Sequence, residues 1–185
     1  MALTPSNMLP LGTPAPLFNL PDTLNDQQTW SLENIVLEKG LLVMFICNHC
    51  PYVKHINEEL VSLGHDYQDK GVAIVAISSN NVITHPEDGP GKMTSYGKSL
   101  GYTFPYLYDE TQEVAKAYDA ACTPDFYLFD NQKKLVYRGQ LDDSRPGNGK
   151  PVTGKNLREA MDQLLSGKVV DPQQVPSIGC NIKWK

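Results

Sequence analysis

The segment LLVMFICNHCPYVKHINEEL, residues 41–60, holds two cysteines at the junction of two sequence patterns. The run LLVMFIC is continuously apolar and has the length of a strand that is buried on both faces of a sheet. Beyond it the apolar side chains follow helical spacing, at Tyr52, Val53, Ile56, Leu60 and Leu63. The segment therefore predicts a buried strand, a tight turn that carries both cysteines, and an amphipathic helix.

Cys50 is the cysteine that stands directly before Pro51. Proline is favoured at the first position of a helix because its missing N–H would have no partner there. This places Cys50 at the helix N-cap, where free N–H groups and the helix dipole stabilise a thiolate. His49 and Lys54 are close in sequence. The competing interpretation of Cys50 is a buried cysteine that only fills space.

Strands and helices alternate along the rest of the chain. Strands are predicted in 71–79 and 103–109, helices in 90–101, 110–120 and 154–167, a hairpin in 125–139, and a pair of short strands in 13–32. The alternation implies parallel strands joined by right-handed crossovers, and the hairpin adds an antiparallel edge. Chemistry is expected at the carboxyl ends of the strands. The polar segment 77–92 is predicted to be a solvated loop.

The totals describe one ordinary globular chain of 185 residues with a formal net charge of -5. No basic block points to nucleic acid or to a membrane surface, and no apolar run could span a bilayer. The start of the chain lacks the features of a secretory signal, which favours the cytoplasm. Four cysteines do not form a disulfide scaffold at this length. We expect a body of residues 1–168 and a C-terminal tail, residues 169–185, that packs on it.

These features resemble the thioredoxin superfamily over roughly residues 14–165, through the order of elements, the cysteine at a strand-to-helix turn and the sequence CTPDFYLFD. The sequence PAPLFNLPD is similar to the start of the alkyl hydroperoxide reductase/thiol-specific antioxidant (redoxin) branch, and NHCPYV with GCNIKW resembles a peroxiredoxin-like subfamily. The resemblance implies a thioredoxin-like α/β fold: a central mixed sheet with helices on both faces, an N-terminal β-hairpin and a C-terminal extension. It also implies a cis peptide bond before Pro124, which shapes the wall opposite the nucleophile.

The resemblance assigns the role of nucleophile to Cys50. Thioredoxin-like oxidoreductases place their first active-site cysteine five residues after a phenylalanine, and Phe45 to Cys50 has this spacing. The position of their second cysteine falls on Val53, so dithiol exchange through that pair is not available. Cys47 lies three residues before the nucleophile instead.

The catalytic set of true peroxiredoxins is missing. They carry a threonine or serine three residues before the peroxidatic cysteine, where this chain has Cys47. They carry an arginine where this chain has Pro124, and Arg138 on the following strand does not match. The resemblance therefore does not imply fast reduction of peroxide.

A second thiol is needed to resolve a mixed disulfide or a sulfenic acid on Cys50. We rank Cys47 first because of its spacing, Cys180 on the tail second and Cys122 third. For each of these three cysteines, simple packing in the core is the alternative. Thr123 and His49 are expected at the substrate, since the cis-proline segment of the family offers backbone to an extended peptide.

No metal or organic cofactor is predicted. Cys47, Cys50, His49 and His55 could supply ligands, but no second ligand pair follows at the distance that zinc sites use. No glycine-rich phosphate-binding fingerprint is present either.

The sequence thus predicts a thiol–disulfide oxidoreductase with catalytic Cys50, Cys47 and Pro124. Its partners would be a protein or small-molecule thiol or disulfide, or a peroxide, with an external thiol as the reductant and with neither nucleic acid nor membrane. Two alternatives remain open: a weak thiol-dependent peroxidase of the antioxidant type, and a thioredoxin-fold module that binds a partner without turnover.

Overall fold

The computed structural model describes residues 3–185. The strands are β1 (Leu3–Pro5), β2 (Asn19–Pro21), β3 (Thr29–Ser31), β4 (Gly40–Phe45), β5 (Val72–Ser78), β6 (Tyr106–Tyr108), β7 (Cys122–Thr123), β8 (Asp125–Asp130), β9 (Leu135–Gly139) and β10 (Ile178–Asn181). The α-helices are α1 (Pro51–Tyr67), α2 (Pro90–Leu100), α3 (Glu113–Ala117) and α4 (Lys155–Leu165).

The central sheet has five strands in the order β6-β5-β4-β8-β9. β4 and β5 are parallel, as are β5 and β6, whereas β8 runs antiparallel to β4 and to β9. β2 and β3 form the N-terminal hairpin. This is the mixed sheet that the alternating pattern predicts.

Alternate side chains of β4 face two separate hydrophobic clusters. Leu42 and Met44 pack on the side of α1, α2 and α4. Leu41, Val43 and Phe45 pack on the side of α3 and the N-terminal hairpin. Since every residue of β4 is buried, the continuous apolar run of the sequence reflects helices or loops on both faces of the strand.

A second sheet joins the two ends of the described chain, and the sequence gives no sign of it. β10 lies between β1 and β7 and is antiparallel to both. The tail therefore forms part of the core, with Cys180 and Ile182 buried. Strands of two to four residues carry too little periodicity to be recognised locally.

Two expectations about local structure were wrong. The helix expected over 110–120 is limited to α3, which follows the left-handed backbone of Gln112, φ 65°. The segment 77–92 is not a solvated loop, because Ser79, Asn80 and Asp88 are buried and hydrogen bonded. None of the helices in the described range is long and apolar enough to cross a bilayer.

Candidate active site

The turn between β4 and α1 places Cys50 at the start of a 17-residue helix. Cys50 has extended backbone angles, φ −65° and ψ 123°, and Pro51 occupies the first helical position. The first four N–H groups of a helix have no partner within the helix. The turn at Cys50 therefore presents N–H groups of α1 to its surroundings. The geometry is the N-cap that the sequence predicts for Cys50.

Three cysteine sulfurs meet at this turn. The Sγ atoms of Cys50 and Cys180 are 2.8 Å apart, although the two residues are 130 positions apart in the chain. Cys47 lies in the same turn, and its side chain lowers the pKa of Cys50. All of these cysteines are free thiols and are buried.

The cluster favours a negative charge on Cys50 and on neither of its neighbours. The Cys47 thiol hydrogen bond is the main reason why the pKa of Cys50 falls from 9.0 to about 5, against the opposing effect of burial. The Cys180 thiol, the N–H of Val53 and the Thr123 hydroxyl lower this pKa further. These contacts favour the ionisation of Cys50 over that of its two neighbours.

The same contacts raise the pKa values of the two donors. Burial, the hydrogen bond to Cys50 and the charges of Asp88 and Cys50 hold the pKa of Cys47 well above its usual range. Burial, followed by the hydrogen bond to Cys50, raises the pKa of Cys180 to about 12. Ionisation is thus concentrated on one sulfur.

The wall opposite Cys50 is the segment that ends at the cis peptide bond between Thr123 and Pro124. The Thr123 carbonyl oxygen lies 3.3 Å from the Cys50 sulfur and accepts the thiol proton when Cys50 is neutral. The Thr123 hydroxyl lies 3.5 Å from the sulfur of Cys47. The cis bond that the resemblance implies is present, and Thr123 contacts both sulfurs of the turn.

Cys122 stands apart from the sulfur cluster. Its thiol faces the Pro124 carbonyl oxygen at 3.6 Å, and burial raises its pKa. This matches the packing role that the Ala-Ala-Cys run suggests. The guanidinium of Arg138 is engaged away from the three sulfurs, because it donates hydrogen bonds to the Leu9 carbonyl and to the Gln174 side chain.

Asp88, the last residue of a short 3-10 helix (Pro86–Asp88) that precedes α2, anchors the cysteine turn. One carboxylate oxygen accepts the backbone N–H groups of Asn48 at 2.8 Å and His49 at 3.2 Å. The other oxygen lies 2.5 Å from His49 Nδ1 and accepts a hydrogen bond from Asn80 at 2.8 Å. Burial opposes the charge of Asp88, but the hydrogen bonds from His49 and Asn80 hold the pKa of this carboxyl below its usual range.

Sequence reasoning missed Asp88. The one available signal was its place after β5, since the carboxyl ends of adjacent parallel strands meet at one edge of the sheet. His49, by contrast, was expected at the substrate. The structure places its ring against Asp88 and at a tilt of 33° to the ring of His85, with 4.7 Å between centroids. His49 Nδ1 also lies 3.7 Å from the sulfur of Cys47.

We expect Asp88→Asn to lower the free energy of unfolding by about 2–3 kcal/mol, the scale of hydrogen bonds to a buried charge. The amide would turn N–H donors toward the donors of His49 and Asn80. Denaturant unfolding measures the loss, and Glu87→Gln, which changes an exposed neighbour, is the control. Equal stability of the two variants would contradict the anchoring role.

Cys47, His49 and Asp88 could also hold a metal ion, because one ligand atom from each lies within 4.8 Å of the others. Both Asp88 oxygens are already used by N–H donors, and the Cys47 sulfur lies 3.5 Å from the Thr123 hydroxyl. An ion would have to replace these hydrogen bonds. The buried Nε2 atom of His49 has no hydrogen-bond partner among residues 3–185.

Comparison with known proteins supplies a family and a fold. The model of the AhpC/TSA family matches residues 11–138. No curated protein matches the sequence. Among solved structures, an uncharacterised conserved protein from Geobacillus kaustophilus is 58% identical with a TM-score of 0.98, over 100% of this chain and 97% of the other.

Two further structures extend the comparison. A hypothetical protein from Sinorhizobium meliloti 1021 is 51% identical with a TM-score of 0.95, over 98% of each chain. The thioredoxin domain of a thiol-disulfide oxidoreductase from Bacteroides vulgatus is 20% identical with a TM-score of 0.59, over 70% of this chain and 88% of the other. The thioredoxin-like fold expected from the sequence is confirmed.

Proposed function

The chain belongs to the AhpC/TSA family, and we propose that it is a thiol–disulfide oxidoreductase whose nucleophile is Cys50. One observation carries the proposal: the Cys50 sulfur lies at a helix start and 2.8 Å from the sulfur of a second cysteine, Cys180. A thiolate is the reactive form of cysteine, and a pKa of about 5 would keep Cys50 ionised near neutral pH.

In the first step the Cys50 thiolate attacks one sulfur of a client disulfide. A bond forms between Cys50 and that sulfur, the client S–S bond breaks, and the other client sulfur leaves as a thiolate that takes up a proton. Cys180 then attacks the Cys50 sulfur, and the second client thiolate leaves. The client gains two electrons, and Cys50 and Cys180 become a disulfide that an external thiol reduces.

We favour Cys180 as the resolving thiol, although the sequence spacing ranks Cys47 first. The sulfur of Cys180 lies 2.8 Å from that of Cys50. Its pKa is raised by burial first and then by the hydrogen bond to Cys50 and the charge of Cys50. Once Cys50 is part of a mixed disulfide it carries no charge, so two of these three causes disappear when Cys180 has to ionise.

The ionisation of Cys50 is tested by titrating the ultraviolet absorbance of the thiolate. We compare the titration of the wild type with that of Cys50→Ser, which lacks the Cys50 absorbance and in which Cys47 and Cys180 lose the effect of Cys50 on their pKa values. The wild type should show a step with a midpoint near pH 5 that the variant lacks. A step at about 8.5, the value of an ordinary cysteine, would remove the basis of the proposal.

Mass mapping after oxidation with diamide identifies the resolving partner. We expect a peptide pair linked through Cys50 and Cys180, and no link through Cys122. A Cys47–Cys50 link would restore the ranking from the sequence, and the role of Cys50 as nucleophile would stand.

A further inference from the structure

β10 holds Cys180 against Cys50 by pairing as a strand. Cys180 is opposite Leu3 of β1 on one side and Thr123 of β7 on the other. Ser177, just before β10, donates a hydrogen bond to the Pro124 carbonyl at 2.6 Å. The segment that ends at the cis bond is therefore paired with a strand whose sulfur touches the nucleophile.

The close approach of β10 to β7 depends on a glycine. A Cβ atom added to Gly179 would lie 1.9 Å from the Thr123 carbonyl oxygen and 3.2 Å from Cδ of Pro124. Real Cβ atoms do not approach a backbone oxygen so closely, and only glycine removes the conflict. A strand can occupy this position only with glycine directly before its cysteine.

Cys50 cannot meet a macromolecular disulfide while β10 is in place. Its relative exposure is 0%. One groove beside it is lined by residues that include Asn48 and His49, and another by residues that include Pro124 and Ile178, and Cys50 lines neither. An attack on a disulfide needs the client sulfur at the Cys50 sulfur, and Cys180 occupies that place.

We propose that the edge formed by β7 is the binding site for an extended peptide with a Gly-Cys sequence, and that β10 is a resident occupant which this peptide displaces. The inference rests on the proposed function and names its client class. The client strand would pair with Thr123 as β10 does, with its cysteine in the place of Cys180 and its glycine in the place of Gly179.

Release of β10 requires its pairing with both β1 and β7 to open. The connection 166–176 between α4 and β10 is exposed along most of its length, and Val169 is 90% exposed. Beyond β10 the chain is held by Ile182, which is buried, and by hydrogen bonds between Lys183 and the Asn80–Asn81 backbone and side chain. Short terminal elements of this kind open with less free energy than global unfolding requires.

Competition between two strands would also order the reaction. The client strand occupies the β7 edge while Cys50 forms the mixed disulfide. The client strand then leaves the β7 edge while its cysteine is still bonded to Cys50, and β10 returns. Cys180 attacks the Cys50 sulfur, and the client thiolate departs. The replacement of the client strand by β10 would therefore both resolve the mixed disulfide and release the client.

Gly179→Ala tests the requirement for glycine in the full chain. The rate of Cys50 alkylation by iodoacetamide at pH 8, followed by mass mapping, reports how often β10 is away. We expect at least about a tenfold faster reaction than in the wild type, because the added methyl group cannot be placed beside the Thr123 oxygen. Gly91→Ala, where an added Cβ meets nothing within 4 Å, is the control and should react at the wild-type rate.

A peptide in trans tests the binding site itself. The peptide copies residues 176–185 with Cys180→Ser, so that it binds without forming a disulfide. Added to the Gly179→Ala protein, it should restore the slow alkylation of Cys50, and the same peptide with Gly179→Ala should not. Equal protection by both peptides, or by neither, would overturn the proposal.

Hydrogen exchange on the wild type keeps the test decisive if Gly179→Ala fails to fold. After Cys50 is alkylated, we expect residues 178–182 to lose protection while β4 and β8 keep theirs. Protection of β10 in the alkylated protein would overturn the proposal. These measurements report the access of reagents to the Cys50 sulfur at pH 8 and do not require disulfide exchange activity. The proposed function would be contradicted by other results, namely an ordinary pKa of Cys50 or failure to reduce the disulfides of insulin. The two proposals can therefore fail separately.

Discussion

Cys50→Ser is expected to reduce the rate of insulin disulfide reduction by more than about a thousandfold, to the level of the reductant alone. A serine hydroxyl is not ionised near neutral pH and cannot form a disulfide, so neither step of the exchange can begin. The substitution replaces one sulfur by a smaller oxygen at a buried N-cap position where serine is favoured, so the fold should persist. Circular dichroism checks this.

Cys122→Ala is the matched control for this variant. It removes another fully buried thiol, but one that contacts the Pro124 carbonyl and not the Cys50 sulfur. We expect its reduction rate to stay within about twofold of the wild type, because simple core substitutions act mainly on stability. If Cys50→Ser kept both reduction and capture of clients, the protein would be a binding module and not an enzyme.

The second large effect concerns the free energy of unfolding of the wild type, which we expect to fall as pH rises from about 4 to about 7. We expect Asp125→Asn to remove this fall. Asp125 is fully buried, and burial is the main reason why its pKa rises from 3.8 to about 7. One carboxylate oxygen accepts a hydrogen bond from the Tyr127 hydroxyl at 2.9 Å, and the other has no hydrogen-bond partner within the described part of the chain. In this pH range the folded protein keeps a proton that the unfolded chain has lost.

The sign follows from proton linkage. Because the folded state binds more protons than the unfolded state, the contribution of Asp125 to stability is full below its unfolded pKa and is lost as pH rises through about 7. The contribution of Asp125 to the free energy of unfolding that is lost over this pH range is roughly 4 kcal/mol. Asparagine has the same shape and no charge, so at pH 8 the variant should be more stable than the wild type by an amount of that order.

Denaturant unfolding of both proteins at several pH values measures this difference. Comparing the two proteins cancels the other titrating groups, among them Cys50, whose lowered pKa acts in the opposite direction. Parallel stability curves for the two proteins would show that Asp125 is ionised in the folded state throughout this range.

The central sheet and the N-cap position of Cys50 could be predicted because their signals are local. The apolar run of β4 and the proline after Cys50 fix a strand, a turn and a helix start within a dozen residues. The cis bond before Pro124 came from the resemblance, since nothing in the local sequence distinguishes it from a trans bond.

The remaining parts of the site depend on contacts between distant residues. Cys180 reaches Cys50 through β10, whose partners lie more than fifty residues away in the chain. Asp88 was assigned to a solvated loop because its partners, Asn48 and His49, are about forty residues upstream. Polar residues in a loop give no local sign that they will be buried by such partners.

The pairing of β1 with β10 has a practical consequence for handling the protein. Leu3 lies opposite Cys180, whose sulfur is 2.8 Å from that of Cys50, so the start of the described chain lies beside this pair of sulfurs. An affinity tag placed close before Leu3 would alter the access of reagents to them. Kinetic work should therefore use protein from which tags have been cleaved.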